Sequence, residues 1–201
     1  DSTEIFSGRT TMILWEQGHG SLQGFVDSMK HLNSAAQRWK TGHNALGRKG
    51  VAISRMGKIS TSLYNGEFFD QHCAVLLPKS LHNLSAIASY CLDPAYSESL
   101  RKAKPNLAIS SSTVAKANFD ENEWRETACL LYPNSLPKPY SNTPTQWVFH
   151  GHPCSSVIWS EDNKNTAISK LRQDDTVLQV AVARLLGYRW PAELDAEMEL
   201  A

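Results

Sequence analysis

The chain has 201 residues, 41% of them apolar, and its 20 Lys and Arg are balanced by 20 Asp and Glu, so the formal net charge is zero. That total shows neither the basic excess of a nucleic-acid-binding chain nor the charge-rich, apolar-poor makeup of a disordered one, and it supplies enough apolar residues for a core without staples. With no apolar run of about 18 residues and no secretory signal pattern, the expectation is a soluble, cytoplasmic protein making no membrane contact.

The chain starts at Asp1 without an initiator Met, and is expected to be a segment of a longer polypeptide. Met12 to Trp15 is an apolar run short enough for a strand, followed by Gly18 and Gly20, and a helical pattern runs from Leu22 to Leu32. Val51 to Ser54 and Ile59 to Tyr64 have strand composition and are joined by Arg55 to Lys58, with Gly57 available for the turn, which predicts a hairpin. Cys73 to Leu77 is continuously apolar and ends at Pro78, the pattern of a third strand buried on both faces.

Leu84, Ile87, Ala88 and Cys91 recur at helical spacing, and Asp93 with Pro94 supplies a cap and a first-turn proline for the next helix, which uses Tyr96 and Leu100. Ser110 to Thr113 is a polar, serine-rich strand or loop. Asp120 and Glu123 form a capping-box pattern for a helix presenting Trp124, Ala128 and Leu131 and ending before Pro133. Five of the nine prolines lie between Pro133 and Pro153, an extended connector anchored by Trp147 and Phe149. Val177 to Leu186 is apolar almost all round, preceded by Asp174 and Asp175 and followed by Gly187 and Pro191, hence a buried helix. The fold class expected is mixed α/β (α+β): a small sheet with a hairpin, flanked by several helices. Residues 1–120 form the mixed domain, and residues 121–201 a helical, proline-rich scaffold packing on it.

Segment by segment, the charge is not balanced. From Ser28 to Gly66 there are seven Lys or Arg (Lys30, Arg38, Lys40, Arg48, Lys49, Arg55 and Lys58) and no Asp or Glu, while the other 162 residues carry 13 basic and 20 acidic side chains. Cations interleaved with Ser, Thr, Asn, Gly, Trp39 and Tyr64 suit a phosphate backbone, which takes charge from the first and positioning hydrogen bonds from the rest. The other reading of the same segment is a solvated face, or a dock for an acidic protein.

Two clusters imitate active sites. Asp93-Pro94-Ala95-Tyr96 resembles the Asp/Asn-Pro-Pro-Tyr/Phe motif of amino-methyltransferases, but it lacks the second proline and follows helical rather than strand spacing, so a helix cap is expected there. His150, His152 and Cys154 offer ligand atoms without the CxxC or HxxxH pairing of a zinc site, so no metal is expected, and with it no metal-dependent hydrolase. The four cysteines, Cys73, Cys91, Cys129 and Cys154, form no CxxC pair and read as reduced core residues. No GxGxxG, GxxxxGK[ST] or GxSxG string occurs, so no catalytic residue and no cofactor site is expected in this segment.

Trp39, the string Gly47-Arg48-Lys49-Gly50-Val51-Ala52-Ile53-Ser54-Arg55-Met56-Gly57, then Tyr64-Asn65-Gly66-Glu67-Phe68-Phe69-Asp70 and the strand to Pro78, resemble the target-recognition part of large adenine-N6 DNA methyltransferases. These are the type IIG restriction-modification methylases and their phage-defence relatives. Cys91-Leu92-Asp93-Pro94 and the stretch Ser112 to Asp120 are similar to the elements that follow in that region. Pro144 to Pro153 and Leu178 to Pro191 look closer to the phage-defence branch. Together the strings cover the chain from about Thr11 to its C-terminus, in order.

The resemblance implies a DNA target-recognition domain with two partners: duplex DNA and the catalytic methyltransferase domain of the same parent chain, which would bind S-adenosylmethionine and flip and methylate an adenine. Lys40, Arg48, Lys49 and Lys58 would neutralise phosphates, while Ser54, Arg55 and Tyr64 would meet base edges or the gap left by the flipped base. The rival expectation is a structural, protein-interaction domain of a multi-subunit defence complex.

Overall fold

A computed structural model of the chain describes residues 42–137 without a break, together with residues 5–6, 8, 19–29, 31, 157–160, 165–168 and 175–187. The expected strand Met12 to Trp15, most of the proline-rich connector, Trp39, Lys40 and the His150 to Cys154 cluster lie outside these residues. The first helical pattern forms a shorter helix than expected, α1 (Ser21–Ser28).

The fold is mixed α/β, built on a three-stranded antiparallel sheet of β1 (Gly50–Ser54), β2 (Thr61–Tyr64) and β3 (Cys73–Leu76) in the order β2-β1-β3. Val51 and Ile53 alternate with smaller, less buried residues and are fully buried, which sets the inward face of the central strand. The register pairs Val51 with Leu63 and Leu76, and Ile53 with Thr61 and Ala74, so two cross-strand rows lie on that face. A slip of one residue would turn both rows outward.

The expected hairpin forms, but the third strand is not buried on both faces. β3 is an edge strand paired with β1 alone in the sheet; Ala74 is buried, while Cys73, Val75 and Leu76 are half-buried. The doubly enclosed strand is β2, all four of whose residues are buried. Its outer edge is covered by the Ile5–Phe6 segment, where the Ile5 carbonyl accepts from the Leu63 N–H at 2.7 Å and Phe6 is 3% exposed.

Helix α2 (Leu84–Leu92) packs on β1 and β2 through Ala88 and Cys91. The Asp93 carboxylate accepts from the Ala95 N–H at 2.8 Å and starts α3 (Pro94–Ala103), with Pro94 in the first turn; Tyr96 and Leu100, one turn apart, are buried. Ser110 to Thr113 is neither strand nor loop. Ser110 caps a short helix, α4 (Ser111–Ala115), its hydroxyl accepting from the Thr113 N–H, and Val114 anchors it in the core.

Asp120 accepts from the N–H groups of Asn122 and Glu123 and opens α5 (Glu121–Leu131). This helix packs on α2 through Ala128 and through Trp124, whose ring lies 5.1 Å from that of Tyr90. Leu131, expected on the packed face, is 58% exposed: helical spacing places a residue on a stripe, but burial needs a neighbour over that turn, and none of the described residues covers it.

Two further antiparallel strands, β4 (Val157–Ser160) and β5 (Asn165–Ile168), form a hairpin that the sequence reading did not mark. The apolar C-terminal segment is helical, α6 (Asp175–Leu185), but not buried. Leu178, Val182, Leu185 and Leu186 are exposed, and among its described side chains Ala183 alone is enclosed. The cysteines also divide: Cys91 is buried, Cys73 half-buried and Cys129 exposed, contrary to the expected core placement.

Candidate nucleic-acid interface

The β1–β2 hairpin carries its candidate cations at two ends, separated by a five-residue strand, or about 16 Å at the usual rise. At the first end a 3₁₀ turn, His43–Ala45, leads into Gly47, whose N–H donates to the Gly66 carbonyl at 3.0 Å. Gly66 has φ +99°, and a Cβ there would stand 2.6 Å from the Cα of Gly47, so the two loops touch backbone to backbone. This contact presents Arg48 and Lys49, both exposed, on a braced loop; the Arg48 guanidinium makes a long contact of 3.4 Å to the Asn44 carbonyl.

Tyr64 shapes that end from beneath. It is 3% exposed, donates its hydroxyl to the Glu67 carbonyl at 2.6 Å and meets Phe69 edge to face at 5.8 Å. The Glu67 carboxylate in turn accepts from the Asn65 N–H at 2.9 Å. A ring enclosed in this way is not offered to a base, contrary to the expected role of Tyr64.

At the turn end, Arg55 is also committed to the protein. Its Nε donates to the Ile109 carbonyl at 2.8 Å and its Nη1 to the Gln71 carbonyl at 3.1 Å, while its own backbone bonds His72 and Ile109. The segment before α4 thereby joins the hairpin, with Met56 bridging Ala108 and the Gly57 N–H donating to Leu107. Arg101, on α3, completes the clamp by donating to the carbonyls of Gly57 and Asn106. The Ser54 hydroxyl donates to the Met56 carbonyl at 3.2 Å, inside the same turn, and Lys58 remains exposed beyond it.

The hairpin therefore displays Arg48 and Lys49 at one end and Lys58 at the other, while Ser54, Arg55 and Tyr64 hold its shape; Lys40 is outside the described residues. Sequence reading missed Arg101. It lies outside the acid-free segment, and its Gly57 partner is 44 positions away, so no local pattern marks it.

The Asp93 to Tyr96 imitation of a methyltransferase motif is a helix cap. Its carboxylate serves Ala95, its tyrosine is buried, and the Tyr96 hydroxyl is 3.5 Å from the Val114 carbonyl. Beside it, burial pushes the Cys91 thiol up to about 12 against a small opposing effect of its bond with Tyr96; burial, then the neighbouring Cys91, raises the Tyr96 phenol as well. Both groups stay protonated at neutral pH and form part of the core. Among the described residues no group of three or more His, Cys, Asp or Glu could hold a metal ion, and no helix is long and apolar enough to cross a membrane. No family model, curated protein or solved structure matches the chain.

Proposed function

We propose that the chain is the DNA target-recognition segment of an S-adenosylmethionine-dependent adenine-N6 DNA methyltransferase of a restriction-modification or phage-defence system. The observation that carries this reading is the 39-residue acid-free segment Ser28 to Gly66, whose described part is a braced hairpin with Arg48, Lys49 and Lys58 exposed at its ends. A rigid frame with cations on its rim suits phosphate contacts, which set the register of a protein on a duplex. The ordered strings that resemble the target-recognition region of the type IIG methylases support the same reading. Arg55 and Tyr64 act in it as frame, not as readers of bases.

No Gly-rich cofactor loop occurs in this sequence, and Asp93 to Tyr96 is engaged as a cap, so these residues do not fit S-adenosylmethionine. Cofactor binding, base flipping and methyl transfer belong in this proposal to the catalytic domain of the same parent chain.

The test is duplex binding by the purified chain, followed by fluorescence anisotropy across a salt series. Affinity should fall with a log–log slope of roughly −0.9 per phosphate neutralised, and combining Arg48→Ala, Lys49→Ala and Lys58→Ala should make the slope shallower by up to about 2.7. Binding that ignores salt, or a slope untouched by the triple variant, would refute it. A second reading, a protein-interaction domain of a defence complex, is favoured by the exposed Leu178, Val182 and Leu185 on α6 and Leu186 just after it. It predicts a partner held with little salt dependence and lost on Leu178→Ser with Leu185→Ser.

A further inference from the structure

Between α3 and α4 lies an open pocket of about 350 Å³. Its apolar floor is Leu100, Ala103 and Ala117, and its polar lining is Ser99, Ser112, Thr113, Lys116 and Asn118, with no carboxylate among the lining residues. That volume falls at the lower end of small-molecule sites, which begin at about 300 Å³.

The hydrogen-bond inventory shows what the lining can offer. Ser112 and Thr113 each lie 2.8 Å from the Ser110 hydroxyl, so three hydroxyl protons share two contacts and one is left to donate elsewhere. Ser99 donates to the Tyr96 carbonyl at 2.7 Å and is also bonded to the Tyr90 hydroxyl, so it is spent within the protein. The ammonium of Lys116 and the amide of Asn118 have no hydrogen-bond or ion-pair partner among the described residues. One cation and a spare hydroxyl donor suit an anionic oxygen cluster; an amide that both donates and accepts, beside an apolar floor, suits a polar ring with one hydrophobic face.

We infer that this pocket binds a sugar-phosphate unit, with the phosphate on Lys116 and the one spare hydroxyl of the Ser112–Thr113 pair, and the sugar over Leu100 against Asn118. Two sources have that chemistry: a free sugar phosphate and a unit of a nucleic-acid backbone. The second is within reach of the proposed interface, because Ile109, bonded to Arg55 of the hairpin, is four residues from Thr113, at most about 14 Å of chain. The inference does not depend on the DNA reading.

The experiment titrates the intact chain with ribose 5-phosphate, and separately with ribose, in phosphate-free buffer, following the backbone amide resonances of Ser112 to Asn118. Ribose 5-phosphate at millimolar concentration should shift these resonances and ribose should not; Lys116→Gln should weaken the binding by about tenfold or more, while Lys102→Gln, outside the pocket, should leave it unchanged. Absence of the shift, or a shift that survives Lys116→Gln, overturns the inference. Duplex binding by Lys116→Gln separates the sources: a salt slope shallower by about 0.9 assigns the site to a backbone phosphate, and an unchanged slope assigns it to a free sugar phosphate. A chain that binds ribose 5-phosphate through Lys116 but no duplex keeps this site and loses only the DNA reading.

Discussion

Arg55 separates the role its sequence position suggests from the role its geometry supports. Arg55→Met keeps an unbranched stem and removes the guanidinium, leaving the carbonyls of Ile109 and Gln71 without it. A net hydrogen bond from a charged donor is worth about 1.5–3 kcal/mol when sheltered. The Ile109 bond is partly buried and takes the lower end of that range, whereas the Gln71 bond is exposed and adds a fraction of a kcal/mol, since water replaces the donor there. The expected loss is about 2 kcal/mol, or roughly 4–8 °C in Tm for a chain of this size. Urea unfolding followed by tryptophan fluorescence measures the first quantity, and duplex binding across a salt series measures the second. Because Arg55 is committed to main-chain carbonyls, the slope should stay as it is in the unaltered chain. An Arg55→Met chain that unfolds within about 0.5 kcal/mol of the parent while its slope falls by a full phosphate contact would place this residue on DNA and refute the clamp.

Two glycines with positive φ should respond unequally to a methyl group. Gly66→Ala drives a Cβ to 2.6 Å from the Gly47 backbone at φ +99° and should cost about 2–4 kcal/mol, whereas Gly57→Ala, at φ +60° with nothing within 4 Å, should cost about 1 kcal/mol; equal urea midpoints would contradict the backbone contact. Alkaline pH should destabilise the fold through Cys91. Both states are protonated below the ordinary thiol value of 9.0, and above it the unfolded thiol ionises while the folded one holds its proton to about 12, so stability is full below pH 9.0 and falls as pH rises toward 12. The slope contributed is up to about 1.4 kcal/mol per pH unit, and Cys91→Ala should make the profile of unfolding free energy against pH shallower in that window, with the raised Tyr96 and Tyr90 phenols keeping a contribution of the same sign. An unchanged profile would show that the thiol ionises equally in both states.

Parts of the candidate site are legible in the sequence because their causes are local. The absence of Asp and Glu from Ser28 to Gly66 is a matter of composition, and Gly57 marks the turn that separates the two strands. Which of its residues face outward is another matter. Arg55 and Lys58 are three positions apart in one turn, both cationic, yet one guanidinium is drawn onto carbonyls of Gln71 and Ile109 and the other side chain is exposed. Tyr64 likewise closes the core of its loop because Glu67 and Phe69 fold back over it.

The sequence by itself determined what a few neighbouring residues decide among themselves: the Asp93 and Asp120 caps, the alternation that turns Val51 and Ile53 inward, and the helical spacing of Tyr96 and Leu100. Tertiary structure alone decided the strand order that puts Cys73–Leu76 at an edge, the exposure of Leu131 and of the α6 leucines, and the clamp made by Arg55 and Arg101. The physical reason is distance along the chain. A cap or a turn is satisfied within a few residues, whereas burial and the partner of a long cationic side chain depend on which distant segment arrives beside it, as Leu107 to Ile109 arrive at the hairpin turn.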